Sequence, residues 1–218
     1  MRGLTVTPRA LAFLLMASLS GCAMVSSPMP LIDVTDPVPR LGDGRYQIFV
    51  LTQTAEAKAF SRHQRATCIQ ADFLVPRDDA GAAPGSTALY CPFQDGKAVP
   101  IATVKRRGVY LEVSGAPGSA FVRLRELNDE LLLLQFGDDA KRQPSDYIYG
   151  VVRMRDPNLE LYWLECDTVP AIRVVDKDGQ ISCTAPSIEA MSADLARFAT
   201  RIDEKRETPL ALARKLPD

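Results

Sequence analysis

The chain has 218 residues, with 26 basic and 27 acidic side chains and a net charge of −1. That balance builds no basic face of the kind that nucleic acid or anionic lipid requires. A single histidine excludes the two-histidine HExxH metal site and any cluster of histidine ligands.

Arg2 and Arg9 open the chain as a basic segment, and no acidic residue precedes Asp33. Residues 10–19 (ALAFLLMASL) are almost wholly apolar. A membrane-spanning helix needs about 20 apolar residues, so this run is too short to span and has the length of a signal-peptide core. It ends in Leu19-Ser20-Gly21-Cys22. This stretch resembles the lipobox of bacterial lipoproteins: an aliphatic residue, two small residues and a cysteine. The resemblance implies cleavage after residue 21, diacylglycerol on the Cys22 thiol, and a new amine open to a further acyl chain such as palmitate. Two or more acyl chains hold a membrane stably, whereas one does so marginally. In Gram-negative lipoproteins an Asp directly after the cysteine retains the protein at the inner membrane. Ala23 stands there instead, which by resemblance implies the outer membrane, with the domain facing the periplasm.

Residues 22–43 carry Pro28, Pro30, Pro37 and Pro39 and read as a lipidated cysteine followed by a tether. About 20 residues at roughly 3.1 Å each reach on the order of 60 Å. Residues 44–218 read as one domain. Its first strand alternates Tyr46, Ile48 and Val50 with Gln47, Phe49 and Leu51. Residues 54–65, opened by Thr54, read as a helix. His63 lies there in the polar stretch Ser61-Arg62-His63-Gln64-Arg65 and reads as a surface side chain, since no G-x-S-x-G elbow accompanies it.

Four cysteines follow Cys22: Cys68, Cys91, Cys166 and Cys183. An even number in an exported chain reads as disulfides. Three pairings exist, and Cys68–Cys91 with Cys166–Cys183 is favoured because each pair brackets one hairpin. Residues 68 and 91 are symmetric about Asp79-Ala80, inside the turn-rich stretch 77–86. Antiparallel pairing about that centre sets Cys68 opposite Cys91 and Ile69 opposite Tyr90, within reach of a disulfide after small adjustment. Cys166 lies too far upstream to be the ladder partner of Cys183, so that bridge ties the entry of its hairpin to its exit. With no C-x-x-C pair, a zinc site is not expected.

Beyond the lone basic turn Lys105-Arg106-Arg107, strands follow at short spacing. Val109, Leu111 and Val113 alternate with Tyr110 and Glu112. Residues 119–126 and 130–137 flank Asn128-Asp129, residues 146–155 and 159–165 flank Asp156-Pro157-Asn158, and residues 171–176 and 180–184 flank Asp178-Gly179. Residues 131–134 are apolar throughout, so that strand should be covered on both faces. Ser187 caps a helix over 187–202, in which Ile188, Met191, Leu195, Phe198 and Ile202 share one face. A short helix is expected from Pro209. The fold class is mainly β: an antiparallel meander, closed as a barrel or folded as a sandwich, with a C-terminal amphipathic helix packed on it.

Chemistry is scarce. No P-loop or G-x-G-x-x-G motif calls for a cofactor. Asp176-Lys177-Asp178-Gly179 lacks the later ligands of a calcium loop, and Asp78-Asp79 and Asp138-Asp139 read as solvated turns. No catalytic residue and no metal ligand is assigned. Tyr147 and Tyr149 share one strand face, and Trp163 shares another with Leu159 and Leu161. In a small barrel these aromatics could line a ligand pocket. The expected function is therefore a membrane-anchored, non-enzymatic envelope lipoprotein that binds an envelope protein or plays a structural part. A barrel carrier of small apolar ligands is the alternative, and a periplasmic hydrolase the weaker one.

Overall fold

The computed structural model describes residues 24–33, 35–36, 39, 41–52, 54–72, 87–94, 96–115, 118–137 and 147–217. Residues 1–21, Cys22, Ala23, the stretch 77–86 and Asp138-Asp139 lie outside these residues. In chain order the strands are β1 (Ser26–Ser27), β2 (Gly44–Thr52), β3 (Ile69–Asp72), β4 (Thr87–Cys91), β5 (Phe93–Gln94), β6 (Lys97–Ala98), β7 (Ala102–Arg107), β8 (Tyr110–Gly115), β9 (Gly118–Glu126), β10 (Leu131–Phe136), β11 (Tyr147–Arg155), β12 (Asn158–Trp163), β13 (Arg173–Val175), β14 (Ile181–Cys183) and β15 (Ala211–Lys215). The helices are α1 (Thr54–Ala59), α2 (Arg62–Ala66) and α3 (Ile188–Asp203).

Strands β7 to β12 each pair with the next, all antiparallel, as an unbroken meander. Strand β15 pairs with β12 on one side and with β2 on the other, and β2 pairs with β7. The eight strands thus close on themselves. Of barrel and sandwich, the fold is the barrel. Eight strands leave an interior just wide enough for side chains to fill. Tyr46, Leu111, Val122, Leu132, Leu134 and Val152 are buried in it as one cluster.

Strand β10 shows why both faces of the wall are apolar. Successive side chains on a strand point to opposite sides, so four leucines in a row need cover on both. Leu132 and Leu134 turn into the barrel, while Leu131 and Leu133 turn outward into a second cluster beneath α3. Helix α3 starts at Ser187, whose side chain accepts a hydrogen bond from the Ala190 N–H. Its stripe Ile188, Met191, Leu195, Phe198 and Ile202 is buried against the wall, as its spacing implies.

Two local expectations are corrected. The helix expected from Pro209 is instead β15. Its residues Ala-Leu-Ala-Arg-Lys favour helix on their own, but the edges of β2 and β12 would stand unpaired without a strand between them. Pairing both edges outweighs local propensity. The helix expected over 54–65 is split into α1 and α2. Ser61 accepts from the Gln64 N–H, and the Gln64 side chain accepts from the Ser61 N–H. That reciprocal capping box starts a new helix and so ends the old one.

The third correction concerns the tether. Residues 24–32 do not stand off as a leash; they are strapped along the barrel wall. Val25 and Ile32 are 0% and 1% exposed. The Val25 N–H donates to the Leu164 carbonyl, the Tyr149 N–H to the Val25 carbonyl, and the Ala185 N–H to the Ser26 carbonyl. Strand β1 lies beside β11, Ser26 facing Ile148 and Ser27 facing Tyr147. The chain bends at Pro28 and Met29, and the buried side chains of Val25 and Ile32 on either side of the bend dock it on the wall.

Cys68 and Cys91 are bonded, with Cα atoms 4.3 Å apart, at the base of the β3–β4 hairpin, where Ile69 faces Tyr90 as the symmetry of the sequence implies. Cys166 and Cys183 are bonded with Cα atoms 5.4 Å apart, fixing the base of the β13–β14 hairpin.

Candidate functional site

Buried polar side chains are costly unless partnered, so they mark where the fold spends polarity on purpose. Four stand out on the outward side of the barrel wall. Gln135, in the apolar run of β10, is 2% exposed. Its Oε1 accepts from the Leu31 N–H at 2.8 Å, the Ile32 N–H at 3.0 Å and the Tyr149 hydroxyl at 3.1 Å. Arg123 faces Gln135 across the β9–β10 ladder and donates to the Ile32 carbonyl at 2.8 Å. Its guanidinium also stacks on the Tyr110 ring, 4.6 Å from the centroid. Together the two clamp the N-terminal strap. Asp194 sits within the apolar stripe of α3 and accepts from the Ala171 N–H and from Arg197. Glu160 is held by the Tyr162 hydroxyl at 2.8 Å, with Arg155 at 3.8 Å. None of these was singled out in the sequence. The available signal was a lone polar residue at an otherwise apolar position, as in Leu-Leu-Leu-Leu-Gln-Phe.

The three aromatics proposed as pocket lining do not converge. Tyr149 turns outward, 0% exposed beneath the strap with its hydroxyl on Gln135, and Tyr147 packs on the same outward cluster. Trp163 faces Gly150 across the β11–β12 ladder, and its ring packs on Phe136 at 5.3 Å between centroids. A Cβ at Gly150 would come within 2.7 Å of the Tyr162 carbonyl and 3.3 Å of the Trp163 ring. Trp163 therefore lies on the inward face and the two tyrosines on the outward face.

Two shallow hollows mark the outer surface. One, of about 230 Å³, is lined by Arg155, Asp156, Asn158, Glu160 and Lys205 beside Leu212. Its charges alternate in sign and Glu160 is already engaged, so it offers no single-sign site. The other, of about 310 Å³, is lined by Phe49, Pro92, Phe93 and Val99 with Gln47 and Thr67. Neither includes Tyr147, Tyr149 or Trp163. His63 is exposed on α2. Asp176 closes its own turn, accepting from the Asp178 and Gln180 N–H groups at 2.8 Å. Among the described residues no group of acidic, cysteine or histidine side chains has the geometry to hold a metal ion.

Burial pushes the Tyr149 phenol up to about 12. Burial, then the nearby Glu160 carboxylate, also raises those of Tyr90 and Tyr162. An unfolded tyrosine ionises near pH 10. For Tyr149 the stabilising effect of the protonated phenol is therefore complete below about pH 10 and is lost as pH rises through 12. The expected result is a urea midpoint that drops steeply between about pH 9 and about pH 12. An unchanged midpoint across that range would contradict it.

The face where the chain enters the fold is the remaining candidate. Met24 forms a bridge with Glu165, two residues past the end of β12, and Ser26 bridges Thr184, next to Cys183. The strap, the Cys166–Cys183 bond and the β13–β14 hairpin thus meet at one place. Searches against protein-family models, curated proteins and solved structures found no match to this chain.

Proposed function

We propose that this chain is a lipid-anchored protein of the bacterial envelope, held through Cys22, whose closed barrel acts as a rigid, non-enzymatic binding or structural module. The Leu19-Ser20-Gly21-Cys22 motif carries the reading. Two features of the fold support it. The chain joins the barrel two residues after Cys22, at the bridge of Met24 to Glu165, and is clamped further on, at Leu31 and Ile32, by Gln135 and Arg123. Two disulfides suit an oxidising compartment such as the periplasm. Ala23 favours the outer membrane, with the barrel on the periplasmic side and an envelope protein as partner. The carrier reading has less support, because the barrel interior is packed with its own side chains and the three aromatics divide between two faces.

The test is metabolic labelling with palmitate followed by membrane fractionation. The wild-type chain is expected to take up label and to sediment with outer membrane, and Cys22→Ser to do neither. A Cys22→Ser chain that sediments like wild type would remove the lipid anchor from the reading.

A further inference from the structure

We propose that the β13–β14 hairpin is the surface on which the barrel rests against the lipid bilayer. The proposal depends on Cys22 being acylated, and it goes beyond that reading by saying how the domain is placed. The first observation is length. Met24 is fixed to the fold by its bridge to Glu165 and by the buried Val25 beside it. From Cys22 to Met24 the chain spans two residues, at most about 7 Å even when fully extended. Acyl chains on Cys22 must lie in the membrane, so the face carrying Met24 and Glu165 is drawn onto the bilayer.

The second observation is what that face displays. Glu165 adjoins Cys166, which is bonded to Cys183 at the base of the hairpin. In the hairpin Val175 faces Ile181, and Val174 projects on the other side. Val174 is 58% exposed, Val175 57% and Ile181 37%. Among the described residues the large exposed hydrophobics are these three, Met29 on the strap and Leu51. Four of the five thus lie on the hairpin or the strap. Three residues of strand reach about 10 Å from the hairpin base, so the apolar side chains are within reach of the lipid surface.

The chemistry limits how deep they go. The outer edges of a two-stranded hairpin carry backbone groups that hydrocarbon cannot satisfy. Asp176, Lys177 and Asp178 sit at its tip. The hairpin therefore lies in the interfacial layer, with its aliphatic side chains among the upper acyl carbons. The charged groups around it are of both signs: Arg173 and Lys177 against Glu165, Asp167, Asp176 and Asp178. Their net charge is negative, so anionic lipid is not what draws the hairpin; contact is through the apolar side chains and, on a zwitterionic surface, insensitive to salt.

The experiment uses the acylated protein in phosphatidylcholine vesicles that contain a photoactivated carbene probe dissolved in the acyl region, with labelled peptides mapped by mass spectrometry. Label is expected on residues 173–183 at low and at high salt. It is not expected on the turn at residues 128–130, at the opposite end of the barrel. Replacing Val175→Ser and Ile181→Ser should remove the hairpin label and leave acylation unchanged. An acylated wild-type chain with an unlabelled hairpin overturns the proposal and leaves the anchor standing. Hairpin labelling that survives both serine substitutions overturns it too. A chain whose intact mass shows no lipid overturns both the anchor and the proposal.

Discussion

Replacing Cys68, Cys91, Cys166 and Cys183 together with alanine is expected to lower stability by about 6 kcal/mol. The sequence separations are 23 and 17 residues, and cross-links closing loops of that size each restrict the unfolded chain by about 3 kcal/mol. A domain of ordinary stability has about 5–15 kcal/mol in all, so the variant stands near the edge of folding. The two bonds should not contribute equally, and loop length ranks them the wrong way. Cys166 and Cys183 are 3% and 2% exposed within the cluster beneath α3, so alanine there also leaves cavities. Cys91 is 0% exposed, but its partner Cys68 is only half-buried, on a hairpin at the edge of the sheet, so that pair buries one sulfur fully rather than two. Loss of Cys166–Cys183 should therefore cost about 1 kcal/mol more than loss of Cys68–Cys91, despite the shorter loop. Urea unfolding of the two paired variants reads this as a difference in midpoint at similar slope. Equal midpoints would mean that the buried sulfurs add nothing beyond the cross-link.

Local chemistry was legible where it met no competitor. The symmetry of Cys68 and Cys91 about one turn foretold that Ile69 faces Tyr90, because period-two pairing leaves a short hairpin little other choice. The stripe of α3 and the leucines of β10 announced their own burial. What stayed hidden depended on partners far along the chain. Residues 211–215 look helical until two open barrel edges are known to need them. Residues 24–32 look like a leash until Gln135 and Arg123, about a hundred residues on, are seen to hold them. Parity put Tyr147 with Tyr149, and Trp163 with Leu161, correctly within each strand. It says nothing of register between strands, and the pairing of Gly150 with Trp163 sets the tryptophan on the face opposite Tyr149. The barrel could therefore be anticipated as a class, while the seat of its N-terminus could not.

Gln135 is the side chain that holds the far end of the strap, at Leu31 and Ile32. Gln135→Leu keeps most of the volume and removes the acceptor for the Leu31 and Ile32 N–H groups. The Tyr149 hydroxyl, 3.2 Å from the Leu31 nitrogen, still accepts from that donor. The Ile32 N–H, in a buried position, loses the bond to Gln135. An orphaned buried donor costs about 1–3 kcal/mol, while the Tyr149 hydroxyl still has the Met29 carbonyl, 3.4 Å away, as an acceptor. The cost falls on the strap, because Leu132 and Leu134 continue to pack inside the barrel. Hydrogen exchange should show the change directly: protection at Leu31 and Ile32 drops by about two orders of magnitude, while that at Leu132 and Leu133 stays. Met24 to Ser26 keep their own bonds to Glu165, Leu164, Tyr149 and Ala185, so the end of the strap nearest Cys22 stays on the fold. In the same acylated protein the carbene label on residues 173–183 should therefore persist. Unchanged protection at Leu31 and Ile32 would show that Val25 and Ile32 hold the strap by burial alone, with Gln135 only satisfying what they bring to it.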